Sequence, residues 1–160
     1  MTVTVGVETP LQDDVRELVA LLNAHLLPLS PIEFQFKMTV EQMAGADTTV
    51  FVARNEDGVA LGIGALKLHP EAVGEVKRMY TREAVRGERV GSQLLAAIIE
   101  RARAEGVKRL VLETGEGPGF AGAQRLYERR GFTRCGAFLD YPESQWSAFY
   151  EMNLAGDVAA

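Results

Sequence analysis

Two stretches of the chain carry residues whose types and spacing can do chemistry. The first, residues 75–95, reads EVKRMYTREAVRGERVGSQLL. A strand-like run leads into the turn Arg86-Gly87-Glu88-Arg89-Val90-Gly91 and then into an amphipathic helix. A helix start presents unpaired backbone N–H groups and the positive end of the helix dipole. Glycines let an anion approach the backbone closely. Arg86 and Arg89 can add charge-assisted hydrogen bonds. The chemistry implied is anion binding, although the pattern alone is also that of a plain strand-to-helix turn. No Gly-Lys-Ser/Thr closes a P-loop here, and the dinucleotide-binding glycine pattern does not occur.

The second stretch, residues 110–132, reads LVLETGEGPGFAGAQRLYERRGF. An apolar strand enters a glycine-rich loop, followed by a helix that carries Leu126-Tyr127 and stops at Gly131-Phe132. Together the two stretches resemble the GNAT family of N-acetyltransferases. In that family a turn of the form Arg/Gln-x-x-Gly-x-Gly/Ala binds the coenzyme A pyrophosphate. An Ala-x-x-Leu-Tyr-x-x-x-Gly-Phe pattern follows the fifth strand, and here it is Ala123 to Phe132. The runs GALK (64–67), GEVK (74–77) and LETG (112–115), with Asp140-Tyr141, resemble a bacterial branch of small-molecule acetyltransferases. Two positions depart from the family pattern. Arg89 replaces the first glycine of the turn, and Phe120 replaces the family's usual asparagine.

The resemblance implies one N-acetyltransferase domain over residues 1–160, with acetyl-coenzyme A as co-substrate and no metal. It implies acetyl transfer to the primary amine of a small or amino-acid-like acceptor, by direct attack in a ternary complex. Such a reaction needs a base for the amine, donors for the thioester oxygen and an acid for the leaving thiolate. Glu75 matches the family's commonly used glutamate and is the expected base, with Glu113 as its rival. The other reading of Glu75 is a surface pair with Lys67 or Lys77. Tyr127 is the expected acid, and its other reading is a packing tyrosine. The backbone at Met79, Tyr80 and Thr81 is implied to face the thioester and pantetheine. Arg86, Gly87, Glu88, Arg89, Val90, Gly91 and Ser92 are implied to hold the pyrophosphate, and Phe120 to stand beside the pantetheine arm. Cys135 is not where the family places a nucleophile. The alternatives are a protein N-terminal or lysine acetyltransferase, and a coenzyme A-binding sensor or partner without catalysis.

Other side chains have two readings. Trp146, Tyr141, Phe34 and Phe36 either line an acceptor site or cover the sheet. Lys67, Lys77 and Arg78 attract an anionic acceptor if they face a cleft, and are otherwise solvated. His25 and His69 have no cysteine or carboxylate at ligand spacing, so no metal is expected.

Composition bounds the partners. The 160 residues carry 17 Lys+Arg against 22 Asp+Glu, a net charge of −5. That disfavours nucleic acid and anionic membranes as partners. A single cysteine excludes an internal disulfide and fits a reducing compartment. The start, MTVTVG, lacks the basic and apolar segments of a signal peptide, and no apolar run approaches a spanning length. A cytoplasmic protein is expected, and by analogy a homodimer.

The elements that must position these residues follow from periodicity. Alternation predicts a strand over 2–7. Thr9-Pro10, with Gln12 three residues after Thr9, predicts the start of a helix that ends before Pro28. Its apolar face is Leu11, Val15, Leu18, Leu22 and Leu26. A short helix is predicted over 39–44. Strands over 49–54 and 59–68, joined by Asn55-Glu56-Asp57-Gly58, predict an antiparallel hairpin. Further strands are predicted over 74–81, 109–114, 132–138 and 148–154, and helices over 92–105 and 121–130. The fold class is α/β (α+β), a mixed central sheet of six to seven strands flanked by about four helices.

Overall fold

The computed structural model describes residues 2–154. Seven strands form one sheet: β1 (Val3–Val7), β2 (Thr48–Asn55), β3 (Ala60–His69), β4 (Val73–Thr81), β5 (Arg109–Gly115), β6 (Thr133–Cys135) and β7 (Ser147–Asn153). Their spatial order is β1-β2-β3-β4-β5-β7-β6. Four α-helices flank them: α1 (Asp13–Leu26), α2 (Val40–Met43), α3 (Val90–Ala104) and α4 (Ala121–Arg129). No helix among the described residues is long and apolar enough to cross a membrane.

The predicted hairpin is present. Asn55 Oδ1 accepts from the N–H groups of Asp57 and Val59, both at 3.0 Å. Gly58 takes the positive φ of 80° that the turn needs. The first helix starts later than the Thr9-Pro10 pattern predicts. Thr9 Oγ1 accepts from Leu11 N (3.1 Å) and so organises the preceding turn, and Gln12 becomes the N-cap residue. Leu11 is therefore exposed, and the buried face is Val15, Leu18, Val19 and Leu22. Thr39 and Gln42 form a reciprocal capping box at α2. The strand predicted over 132–138 shrinks to three residues. Leu139 takes a left-handed φ of 52°, and Phe138 turns back onto Phe149 at 5.2 Å.

The sheet separates two apolar layers. On one face α3 and α4 pack Leu94, Leu95, Ile98 and Tyr127 against Val76, Leu110, Leu112 and Tyr150. On the other, α1 packs Val15, Leu18 and Val19 against Val50, Val52, Ile63 and Ala65. Arg54 anchors the α1 end, donating to Glu8 Oε1 (2.8 Å) and Asp14 Oδ2 (2.7 Å).

The pairing in the middle of the sheet positions the site. Every neighbouring pair is antiparallel except β4–β5. This parallel ladder covers only Val73↔Arg109, Gly74↔Leu110 and Glu75↔Val111. Beyond it β4 stays with β3 as far as Thr81↔Gly62. β5 stays with β7 as far as Gly115↔Ser147. A bulge in β4 between the pairs Ala65↔Lys77 and Ile63↔Tyr80 helps turn the strand away. The two central strands therefore part, and a cleft opens through the sheet.

Candidate active site

The cleft is a cavity of about 1070 Å³ between the diverging ends of β4 and β5. It runs from the start of α3 and the side of α4 to the end of α1 and the segment 30–37. It brings together nearly all the residues singled out from the sequence. Glu75, Met79, Tyr80, Thr81, Glu113, Phe120 and Tyr127 line it, as does the turn before α3 except Glu88.

The α3 end is built for an anion. Gly87 takes φ 90° and Arg89, the N-cap residue, takes φ 66°. Arg89 thus holds the left-handed conformation that usually selects glycine. No side chain caps the helix, so the amides of its first turn are not taken up by one. Arg86 donates from Nε to Thr81 O (3.2 Å), and its guanidinium lies 5.5 Å from the Tyr80 ring centroid. Arg130 reaches across from α4 to donate to Ser92 Oγ at 2.7 and 3.0 Å. With Arg125 and Arg129 it lines the same end of the cavity. These three arginines were not found from the sequence. Arg125 and Arg129 lie on the helix carrying the Leu-Tyr pattern and Arg130 just past its end, and only the packing of α4 beside α3 brings them to one cleft.

The middle of the cleft holds Tyr127, Glu113 and Phe120. Tyr127 is 7% exposed and packs edge-on against Phe132 with centroids 6.1 Å apart. Burial, then the Glu113 charge, pushes its phenol above the ordinary value. The Phe120 ring lies over Gly115 so closely that a Cβ there would fall 2.1 Å from the ring.

The two carboxylates differ. Glu75 is 3% exposed, so it is not a surface residue. It accepts from His69 Nε2 (2.9 Å), Lys77 Nζ (3.3 Å) and the Tyr141 hydroxyl. Glu113 has no such set of donors. Burial raises its carboxyl from the ordinary 4.5 to about 7, with the Glu75 charge adding and Ser147 and Lys77 partly offsetting. Tyr141 does not line the cavity; it closes over Glu75 from the loop before β7, with Phe36 edge-on at 5.0 Å.

The α1 end is lined by Leu22, His25, Leu26, Phe34, Phe36, Lys37 and Trp146. Gln35 pins its loop, donating from Nε2 to the carbonyls of Leu26 (3.0 Å), Leu27 (3.2 Å) and Ser30 (2.7 Å). Arg78 also lines the cleft. It sits in the β4 bulge with φ 57° and is 8% exposed. Burial pushes its guanidinium down to about 10, so it remains a cation near neutrality. Cys135 is half-buried against the Val111, Phe138 and Phe149 cluster. Among the described residues no three His, Cys, Asp or Glu side chains gather as metal ligands.

Comparison with known proteins agrees with this architecture. Residues 16–132 match the model of the acetyltransferase (GNAT) family. An IAA acetyltransferase of Azospirillum brasilense is 37% identical over 153 residues, covering 95% of this chain and 98% of that one. A Klebsiella pneumoniae structure assigned to the acyl-CoA N-acyltransferases superposes with a TM-score of 0.80 at 30% identity, over 95% of this chain and 97% of that one. A GNAT acetyltransferase of Elizabethkingia anophelis, solved with acetyl-CoA bound, shares the fold at a TM-score of 0.71 and 19% identity, over 95% and 98% of the two chains.

Proposed function

This chain belongs to the GNAT family of acetyltransferases, enzymes that use acetyl-coenzyme A, and we propose that it acetylates the primary amine of a small, amino-acid-like acceptor. The observation that carries this reading is the end of β4–β5 pairing at Glu75↔Val111. It leaves a through-cleft with an arginine-rich helix start at one end and aromatic walls at the other.

The α3 end fits the coenzyme. The first-turn amides of α3, with Arg86, Arg89 and Arg130 around them, suit a pyrophosphate. The backbone of Met79, Tyr80 and Thr81, free of β5, suits the pantetheine arm and the thioester oxygen. Acetyl-coenzyme A supplies the activated acetyl group, and the chain's residues handle the protons. Glu113 fits the base better than Glu75, whose carboxylate is already held by three donors. A carboxyl that ionises near neutrality is matched to taking a proton from an ammonium group. Tyr127, neutral and buried, gives its proton to the thiolate as the C–S bond breaks and the new N–C bond forms. Two protons leave the ammonium: Glu113 takes one and passes it to water, and the other, lost from nitrogen after attack, restores the Tyr127 phenol. Glu75 acts at one remove, by fixing Lys77 and Tyr141 beside the acceptor end.

The test is thiol release from acetyl-coenzyme A with free amines and amino acids set against lysine-containing and N-terminal peptides. Release with the small amines is expected. Release with peptides alone assigns the chain to protein acetylation, and coenzyme binding without release makes it a sensor.

A further inference from the structure

Arg78 is a buried charge without a counter-charge among the described residues. Elsewhere the chain pairs its partly buried arginines with carboxylates: Arg54 with Glu8 and Asp14, Arg82 with Glu17. Arg78 is more buried than these and has no carboxylate partner among the described residues. Among the described residues its side chain makes one hydrogen bond, from Nη2 to the neutral Asn23 Oδ1, and its buried Nε has no partner. A desolvated cation of this kind is costly unless something pairs with it. The position is also strained. A non-glycine residue at φ 57° persists only where the surrounding structure holds it, and the bulge puts Arg78 beneath Asn23 of α1. There it lines the cleft together with Leu22, Leu26 and Phe34.

We propose that Arg78 binds the carboxylate of the acetyl acceptor, which is therefore an amine that also carries an acid on an apolar body. This rests on the amine-acetylation reading above. The guanidinium offers the planar fork that a carboxylate fills with parallel N–H···O bonds. The apolar side chains around it strengthen the pairing by excluding water. The other anion source is a coenzyme phosphate. The α3 end already offers Arg86, Arg89 and Arg130 to that group, so the acceptor is the better match.

The test uses α-, β- and aromatic amino acids, each paired with the amine that lacks its carboxylate, such as phenylalanine with phenethylamine. The intact protein is expected to prefer the acid member by about 10- to 100-fold in kcat/KM, the range of a hydrogen bond to a charged group. Arg78→Met removes that preference by slowing the acid member only, with KM for acetyl-coenzyme A unchanged. Equal rates for acid and amine in the intact protein overturn the proposal. So does a variant that slows both members alike, or one that raises KM for acetyl-coenzyme A. The last result transfers Arg78 to the coenzyme phosphates.

A binding readout separates this from the catalytic reading. N-acetylphenylalanine should raise the melting temperature of the intact protein and not of Arg78→Met, while N-acetylphenethylamine should do neither. That pattern without thiol release from any amine keeps the acid site and removes acetyl transfer. No shift with the acid in the intact protein overturns the site. Arg78→Met is itself expected to melt no lower than the parent, because it removes an unpaired buried charge. A variant that fails to fold makes Arg78 structural. In that event Arg78→Lys, which keeps the charge and loses the fork, must still weaken the acid preference for the assignment to stand.

Discussion

The Tyr141 hydroxyl donates to Glu75 Oε2, joining positions 66 residues apart in the chain. Tyr141 also accepts from Lys77 Nζ at 2.7 Å. Its ring meets Phe36 and Phe138 edge-on, with centroids at 5.0 and 5.6 Å. The loop before β7 is thereby clamped onto β4 at the last paired step of the parallel ladder. Glu75 is the polar pin of this clamp. Its oxygens already serve three donors. Glu113 faces the same cleft without them.

Glu113→Gln is accordingly expected to lower kcat by about 10²-fold or more. It should also remove the acidic limb of the kcat/KM profile, which in the parent is expected near pH 7. Glu75→Gln should keep that limb and mainly raise the acceptor KM, because it loosens Tyr141 and Lys77. Steady-state pH profiles of both variants decide this. A limb lost in Glu75→Gln and kept in Glu113→Gln returns the base to Glu75.

The same carboxyl makes stability depend on pH. Its folded value, about 7, lies above its ordinary 4.5. Between these two values the folded protein holds a proton that the unfolded chain has released, so stability falls as pH rises through the window. Glu113→Gln lacks this titration. The melting-temperature difference, variant minus parent, should therefore grow from pH 4 to pH 7 and level off above. A flat difference would show that Glu113 ionises normally in the fold.

The expected elements and the two chemical stretches were legible in the sequence because they are local. Alternation marked β1, apolar β-rich runs marked β2 and β3, Asn55-Glu56-Asp57-Gly58 marked their turn, and the spacing of Leu94, Leu95 and Ile98 marked α3. What periodicity does not give depends on distant pairing. Periodicity does not show where β4 and β5 cease to pair, and that point creates the cleft. Nor does it show the bulge that buries Arg78, since the bulge exists only relative to β3. The surface-pair reading stayed open beside the base reading of Glu75 because Tyr141, which helps bury it, lies in another element's loop. Phe132–Phe138 read as one strand from its apolar ends, yet Phe132 and Phe138 belong to different clusters on the sheet.

Tyr127→Phe isolates one oxygen. The ring keeps its contacts with Phe132 and Tyr150, at 6.1 and 6.2 Å between centroids, so melting temperature should barely move. Turnover should fall by about 10²-fold if the phenol protonates the thiolate, with affinity for coenzyme A unchanged by calorimetry. A thioester with a better leaving thiol should recover part of the loss. An unaltered kcat would reduce Tyr127 to a packing residue.

Arg89→Gly should move stability and binding in opposite directions. The backbone at 89 is left-handed, φ 66°, which costs a non-glycine residue about 1 kcal/mol. Glycine relieves that, and a gain of about 2–4 °C in melting temperature is expected. The same change deletes a cation at the α3 start and should raise KM for acetyl-coenzyme A by about 10-fold. Arg89→Ala keeps the strain and loses the charge, so it should show the KM effect without the thermal gain. A KM unchanged in both variants would leave Arg89 no part in anion binding.

Gly115 and Phe120 form the most sharply defined steric pair in the cleft. An added Cβ at 115 would lie 2.1 and 2.2 Å from the Phe120 Cε2 and Cζ atoms, far inside contact distance. Gly115→Ala must therefore push the ring out of its seat. A cost of about 1–3 kcal/mol is expected, with a higher KM for acetyl-coenzyme A. Phe120→Ala alone should cost less, because the ring is only half-buried. The double variant should be more stable than the sum of the two losses, since removing the ring removes the clash. Denaturant unfolding of the four proteins gives the coupling directly. Additive losses would mean that the ring finds another seat without resistance, and that Phe120 does not depend on the glycine beneath it.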